Sequence, residues 1–169
     1  MQRVSKINKY NHKGLNSIYY LHPGSLDTFI LDFSKQSFVK QTIDSKQAFP
    51  TNFTSVQQSN GHIWIVGGIL PDKSLSNKVL ELTDYLQLKQ GGSMNLARFA
   101  TPVALLKENF IVAAGGVIST SNRKQTNQTE LYDISKGTWQ IISSLEKPRA
   151  NTSMCVITNR HVFIFNGTL

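Results

Sequence analysis

Three stretches decide how this sequence folds: HIWIVGG from His62 to Gly68, FIVAAGG from Phe110 to Gly116, and HVFIFNG from His161 to Gly167. Each is an apolar run closed by a pair of small, turn-prone residues. The spacing is 48 residues from Gly67 to Gly115 and 51 from Gly115 to Asn166. A fixed period of roughly 20–50 residues marks a chain built from repeated supersecondary units, each of which buries its apolar face against the next. The register also holds away from the glycines. Arg98 stands 17 residues before Gly115, and Arg149 stands 17 before Asn166. Seven residues before the same mark lie Asn60, Glu108 and Asn159, each in a polar break between two apolar runs. The first break contains Asn60-Gly61, a pair that tolerates positive φ at both centres of a tight turn, so it reads as a hairpin.

The other half of the unit repeats as well. LDFSKQSF, from Leu31 to Phe38, aligns with YDISKGTW, from Tyr132 to Trp139, sharing Asp-x-Ser-Lys and an aromatic residue six places after each Asp. Between them VLELTDYLQL, from Val79 to Leu88, alternates Leu80, Leu82, Leu86 and Leu88 with Glu81, Thr83, Tyr85 and Gln87. That pattern favours a period of two over 3.6. Helix is the competing reading, because Leu, Glu and Gln are good helix formers. Asp32, Asp84 and Asp133 read as turn residues in one recurring slot, and Glu81 and Glu130 recur near the same hairpin. Each unit is therefore expected to hold two hairpins, or four short strands, with a variable connection after the glycines. Strands apolar on both faces, such as FIVAAGG, call for a sheet on either side.

These residues resemble the kelch repeat, whose period is about fifty residues and whose fold is a β-propeller of four-stranded blades. The residues that carry the likeness are Gly67, Gly68, Arg98, Gly115, Gly116, Tyr132, Asp133, Trp139, Arg149 and Gly167. The third unit matches best. The first offers only Pro23-Gly24, with Leu31 and Phe38 at the aromatic slots, and the second has Thr83 where Tyr is expected. The expectation is all-β, with kelch-type blades of four-stranded antiparallel sheets in an incomplete ring. The repeats are read as 1–48, 49–96, 97–147 and an incomplete 148–169, with 1–14 as a basic arm or first strand. Three periods leave room for only the first hairpin of a fourth blade, so the chain is expected to be part of a longer propeller. Self-association is expected if it is the full chain, because a half-ring exposes an unpaired edge beside Ile164.

Composition narrows the function. With 40% hydrophobic and 17% charged residues, the 169-residue chain supports a core, and global disorder is not expected. No apolar run approaches the roughly 20 residues of a membrane span. The opening MQRVSKINKYNHKG lacks a secretory apolar stretch, so a cytoplasmic location is expected. The N-x-[ST] matches at Asn52, Asn127, Asn151 and Asn166 are accordingly read as chance. The formal charge is +8, half of it from Arg3, Lys6, Lys9 and Lys13 in an acid-free opening. Binding of a polyanion by that arm is one reading. The remaining Lys and Arg are scattered rather than gathered on one face, so a nucleic-acid partner is not expected.

No catalytic, metal-binding or cofactor-binding constellation is legible. His12, His22, His62 and His161 show no metal-ligand spacing, and His62 and His161 hold equivalent repeat positions. The single cysteine, Cys155, aligns with Ala104 and Val56 and reads as a buried packing thiol. Arg98 and Arg149 read as structural hydrogen-bond donors rather than anion sites. The resemblance implies a non-enzymatic module that binds a protein partner through loops at one end of the ring. The variable connections Leu70 to Asn77 and Ser119 to Gln128 are the expected surfaces, with individual partner-binding residues unassigned. An enzyme on the same scaffold, either a radical oxidase like galactose oxidase or a sugar-acid isomerase, is the alternative, because fold alone does not fix function.

Overall fold

The computed structural model describes residues 17–32, 35–83, 86–158 and 161–167. Every regular element among them is a β-strand, and every neighbouring pair is antiparallel. The first sheet contains β1 (Ser17–Leu21), β2 (Asp27–Asp32) and β3 (Ser37–Thr42) in that order. The second contains β4 (Thr54–Gln57), β5 (Ile63–Val66), β6 (Lys78–Leu82) and β7 (Leu88–Ser93). The third contains β8 (Val103–Leu106), β9 (Phe110–Ala114), β10 (Thr129–Asp133) and β11 (Thr138–Ile141), again in chain order. A fourth holds β12 (Ser153–Thr158) and β13 (His161–Phe165). The described sheets do not close into a ring. No helix among the described residues is long and apolar enough to cross a membrane.

Local chemistry explains the hairpins. At the first turn of the second sheet, Gln58 N–H donates to the His62 carbonyl at 2.9 Å and Gly61 N–H donates to Gln58 at 3.0 Å. At the second turn of the third sheet, the Asp133 carboxylate accepts the backbone N–H groups of Ser135 at 3.0 Å and Lys136 at 3.2 Å. In the segment from Val79 to Leu88 the described residues hold the end of β6 and the start of β7 and no helix. Leu80 and Leu82 are buried between neighbouring strands, and this burial outweighs the helix propensity of the stretch. Its Thr83 hydroxyl accepts Gln87 N–H at 3.3 Å. Thr83 thus takes the role of Asp133, and Leu82 rather than Thr83 stands where Tyr132 does: Leu82 pairs with Ile63 as Tyr132 pairs with Ile111.

The sheets pack face to face in chain order. In the second sheet Ile63, Ile65, Leu80 and Leu82 cluster with Leu21, Ile43 and Phe49 on the side of the first sheet. The alternate residues Trp64, Val66 and Val79 cluster with Ile111, Ala113 and Tyr132 of the third. Successive residues of a strand point to opposite faces, so a strand apolar at every position serves two interfaces at once. The first strands are neighbours across sheets, β4 beside β8 and β8 beside β12, and the last strands meet where β7 lies beside β11.

The first unit carries one more residue at its turn than the glycine alignment implies. His22 N–H donates to Asp27 O at 2.9 Å, as Gly67 N–H does to Lys78 O and Gly115 N–H to Gln128 O, both at 3.0 Å. Gly24 then fills the place of Gly68 and Gly116, and Pro23 is an insertion between the two positions.

Candidate functional site

The glycine pairs latch each unit to the next. Gly68 N–H donates to the Arg98 carbonyl at 3.0 Å, and Gly116 N–H donates to that of Arg149 at 2.7 Å. Both glycines need their bare backbone. Gly68 has φ +104°, and a Cβ there would lie 2.7 Å from both Pro50 Cβ and Thr51 O. Gly116 has φ +106° with Phe99 O and the Thr101 side chain in the same space. Asn166 and Gly167 continue the pattern, with φ of 58° and 99°.

Arg98 is fully buried, which removes it as a surface anion site. Its Nη1 donates to Gly115 O at 3.0 Å and Gln128 O at 2.8 Å, while Nη2 donates to Glu130 Oε1 at 2.9 Å. The other Glu130 oxygen accepts Asn95 N–H at 2.7 Å and Asn95 Nδ2 at 2.8 Å. Burial pushes the Arg98 guanidinium below its ordinary pKa, and the Glu130 carboxylate opposes that shift. Glu81 is not the counterpart of Glu130. Glu130 pairs with Ala113 and faces the preceding sheet, whereas Glu81 pairs with Trp64 and faces the following one. The glutamates are offset by one residue in the repeat, which reverses the face in a strand. Glu81 instead holds His62, Oε1 to Nδ1 at 2.7 Å.

Tyr132 and Trp139 clamp the outer strand of the neighbouring sheet. The Tyr132 hydroxyl accepts Gly92 N–H at 3.3 Å, and Trp139 Nε1 donates to Gly92 O at 3.3 Å. The two rings lie 5.0 Å apart, and Trp64 lies 5.8 Å from Tyr132. A Cβ on Gly91 would come within 2.6 Å of the Tyr132 oxygen, so β7 meets this clamp only as glycine. The sequence carries the signal, since paired glycines inside a strand pattern mark a close approach. A second recurring latch has no such signal. Asn77 Nδ2 donates to Met94 O at 3.1 Å and Asn127 Nδ2 to Leu145 O at 2.9 Å, so Asn127 has a structural task.

The antiparallel order puts all variable connections at one end. Strands β4, β6, β8 and β10 begin there, so segments 67–77, 94–102, 115–128 and 142–152 share it, while the short turns at 58–62, 107–109 and 134–137 lie at the other, where β6 also ends and β7 begins. Both expected recognition loops fold as small hairpins. Asp72 accepts Ser74 N–H at 2.9 Å and the Ser74 hydroxyl at 2.6 Å, and the latter bond holds the carboxyl below its usual pKa range. In the longer loop Ile118 N–H donates to Lys124 O at 2.8 Å, and Asn122 accepts Lys124 N–H at 3.1 Å.

Two concavities open at this end. One of about 240 Å³ is lined by Asn52, Thr54, Thr101, Pro102, Asn151 and Thr152, where β4, β8 and β12 begin. Its floor is a backbone relay in which Ala100 N–H donates to Asn52 O and Asn151 N–H to Ala100 O, each at 3.2 Å. The other, about 460 Å³, is an open groove between Arg123, Gln125, Lys147 and Pro148. Among the described residues no three His, Cys, Asp or Glu side chains gather as a metal site would require.

Compared with known protein families and with curated protein sequences, the chain matches none. The remaining expected residues are therefore placed by geometry alone. Cys155 is half-buried rather than buried, because it pairs with Phe163 on a face of the fourth sheet that no described residue covers. His161 Nδ1 lies 2.9 Å from the Thr158 hydroxyl. His12, Asp84 and the basic arm with Arg3, Lys6, Lys9 and Lys13 lie outside the described residues.

Proposed function

We propose that this chain forms consecutive blades of a kelch-type β-propeller and works as a protein-interaction module, recognising a partner through the connectors 70–77 and 119–128. The observation that carries the blade reading is one joint made three times. Gly24, Gly68 and Gly116 each donate their N–H to a carbonyl at the start of the next unit, on Phe49, Arg98 and Arg149. Identical joints rotate each sheet against the last by a similar step, as repeated blades require. The interaction reading rests on what the joints hold up. The connectors differ between units and expose their tips at 71–74 and 120–124, while the central strands beneath them are largely buried and glycine-latched. The groove between Arg123 and Lys147 gives the longer connector a cationic flank.

A photo-cross-linking residue at Asn122, at the connector end, is the direct test. The expected result is a discrete protein adduct in extracts of the source cells, competed by excess unlabelled chain, with none from the same probe at Lys136 at the opposite end. Equal labelling at both positions, or none at either, would overturn the assignment.

A further inference from the structure

The hairpin tip at 58–62 lies at the end of the sheets away from the connectors. It holds one of the chain's two Asn-Gly pairs, Asn60-Gly61; the other is Asn166-Gly167. The side-chain amide carbon of an asparagine can be attacked by the peptide nitrogen of the next residue, and glycine hinders that attack least because it has no Cβ. The two pairs differ in their settings. Ser59 and Asn60 are exposed, Gly61 has φ +93°, and nothing lies within 4 Å of the place its Cβ would take. Gly167 is instead crowded by Ala150 O and the Thr152 side chain, and Asn166 is held at φ 58°.

At the open pair the fold already turns the electrophile toward its nucleophile. His62 N–H donates to Asn60 Oδ1 at 3.0 Å, so the Asn60 side chain bends forward over the Gly61 peptide. The same N–H stabilises the charge that gathers on Oδ1 when the carbon is attacked, because a donor fixed beside a developing oxyanion lowers the barrier. The bond that must open first, Gly61 N–H to Gln58 O at 3.0 Å, belongs to the same surface turn. Local opening costs least in such places.

The neighbourhood gives the product a consequence. Glu108 stands in the turn between β8 and β9 and reaches across from the third sheet. Its Oε2 accepts Ser59 N–H at 2.8 Å, and its carbonyl accepts Gln58 Nε2 at 2.7 Å. Gln58 Oε1 in turn accepts Trp64 Nε1 at 2.7 Å. A carboxylate at position 60 would adjoin the peptide group that holds the Glu108 carboxylate, and like charges at close range repel.

We propose that Asn60 is a site of spontaneous deamidation, and that the carboxylate formed there loosens the Glu108 latch between the second and third sheets. Base removes the Gly61 N–H proton, the nitrogen bonds to Asn60 Cγ, and the bond from Cγ to the amide nitrogen breaks with release of ammonia. Water then opens the cyclic imide at either carbonyl. Aspartate or isoaspartate results, and either one adds a single negative charge. No electron is transferred.

The test incubates the full chain in mildly alkaline buffer, folded and in urea, and follows Asn60 and Asn166 by peptide mass spectrometry, each event adding about 1 Da. Asn60 should react at least about tenfold faster than Asn166 in the folded chain, which is about 1.4 kcal/mol of barrier, and the two rates should converge to within about threefold in urea. In the deamidated chain the Ser59 amide should exchange at least about fivefold faster, as expected of a loosened local bond. That acceleration should vanish in Glu108→Gln, which keeps an acceptor for Ser59 without the charge. Unchanged tryptophan fluorescence of the variant would establish that it folds. Equal rates at the two asparagines in the folded chain, or reaction of Asn60 only in urea, would overturn the assignment of the site. Ser59 exchange that deamidation leaves unchanged, or accelerates equally in Glu108→Gln, would overturn the loosened latch.

Discussion

The Arg98–Glu130 pair can be exchanged for the pair that the second sheet uses in its place. Both side chains are fully buried, and Arg98 Nε has no hydrogen-bond partner among the described residues, so the guanidinium is incompletely repaid for its desolvation. Removing one partner, in Arg98→Met or Glu130→Gln, strands the other in the interior. The expected loss is about 3–5 kcal/mol for each single variant, or roughly 6–20 °C in Tm for a chain of this size. Arg98→Phe with Glu130→Leu recreates the buried Phe49 and Leu80, the latter pairing with Ile65 as Glu130 pairs with Ala113. Gln128 O keeps the Gly115 N–H, Gly115 O keeps the Thr101 hydroxyl, and Asn95 is exposed, so water replaces its lost acceptor. The double variant should therefore lie within about 2 kcal/mol of the parent, since apolar replacement of a buried pair is often neutral. Urea unfolding followed by the fluorescence of Trp64 and Trp139 gives all four values. If the double variant is destabilised by the sum of the singles, the two sheets do not use interchangeable solutions at this place.

Other perturbations separate backbone conformation from packing. Gly61→Ala and Gly68→Ala both place a side chain at positive φ, but Gly61 has no atom within 4 Å of the new Cβ while Gly68 meets Pro50 and Thr51. Gly68→Ala should be the more destabilising by about 1–3 kcal/mol, measured by urea unfolding. Tyr132→Phe removes the acceptor for Gly92 N–H and should cost about 0.5–1.5 kcal/mol, with faster amide exchange at Gly92. The Asp133 carboxyl is held below the usual aspartate range, first by the Ser135 hydroxyl. A depressed folded-state pKa means that its stabilisation is present above the unfolded value and fades as pH falls through the folded one. Asp133→Asn should therefore flatten the loss of stability on acidification below about pH 4, read from thermal melts at pH 5, 4 and 3.

What is legible in the sequence is whatever recurs in identity. Gly68, Gly116 and Gly167 return because only a bare backbone survives their conformation, and the all-β, antiparallel organisation follows from the glycine pairs and from the Asn-Gly and Asp-x-Ser turns. Positions that recur in role but change in chemistry are not legible. Phe49 gives no hint that it is the counterpart of Arg98, because what holds the place constant is a backbone carbonyl, which every residue has. Thr83 and Asp133 likewise share an acceptor and not a side-chain type. Alignment with Ala104 puts Cys155 in the interior, but burial belongs to the neighbouring sheet, and the fourth sheet exposes that face among the described residues.

The glutamates show why face is the hardest property to read. Glu81 and Glu130 sit one residue apart in the repeat frame, well inside the tolerance of an alignment anchored by two glycines and loops of unequal length. In a helix a slip of one residue turns a side chain by about 100°, short of the opposite face. In a strand it moves the side chain from one interface to the opposite one. Glu130 therefore locks Arg98 within the joint beneath the preceding sheet, while Glu81 faces the following sheet and holds a histidine at the turn end. A repeat protein of stacked sheets concentrates its sequence signal in the joints, and the face of each strand between joints is settled by hydrogen-bond register, which leaves no mark in composition.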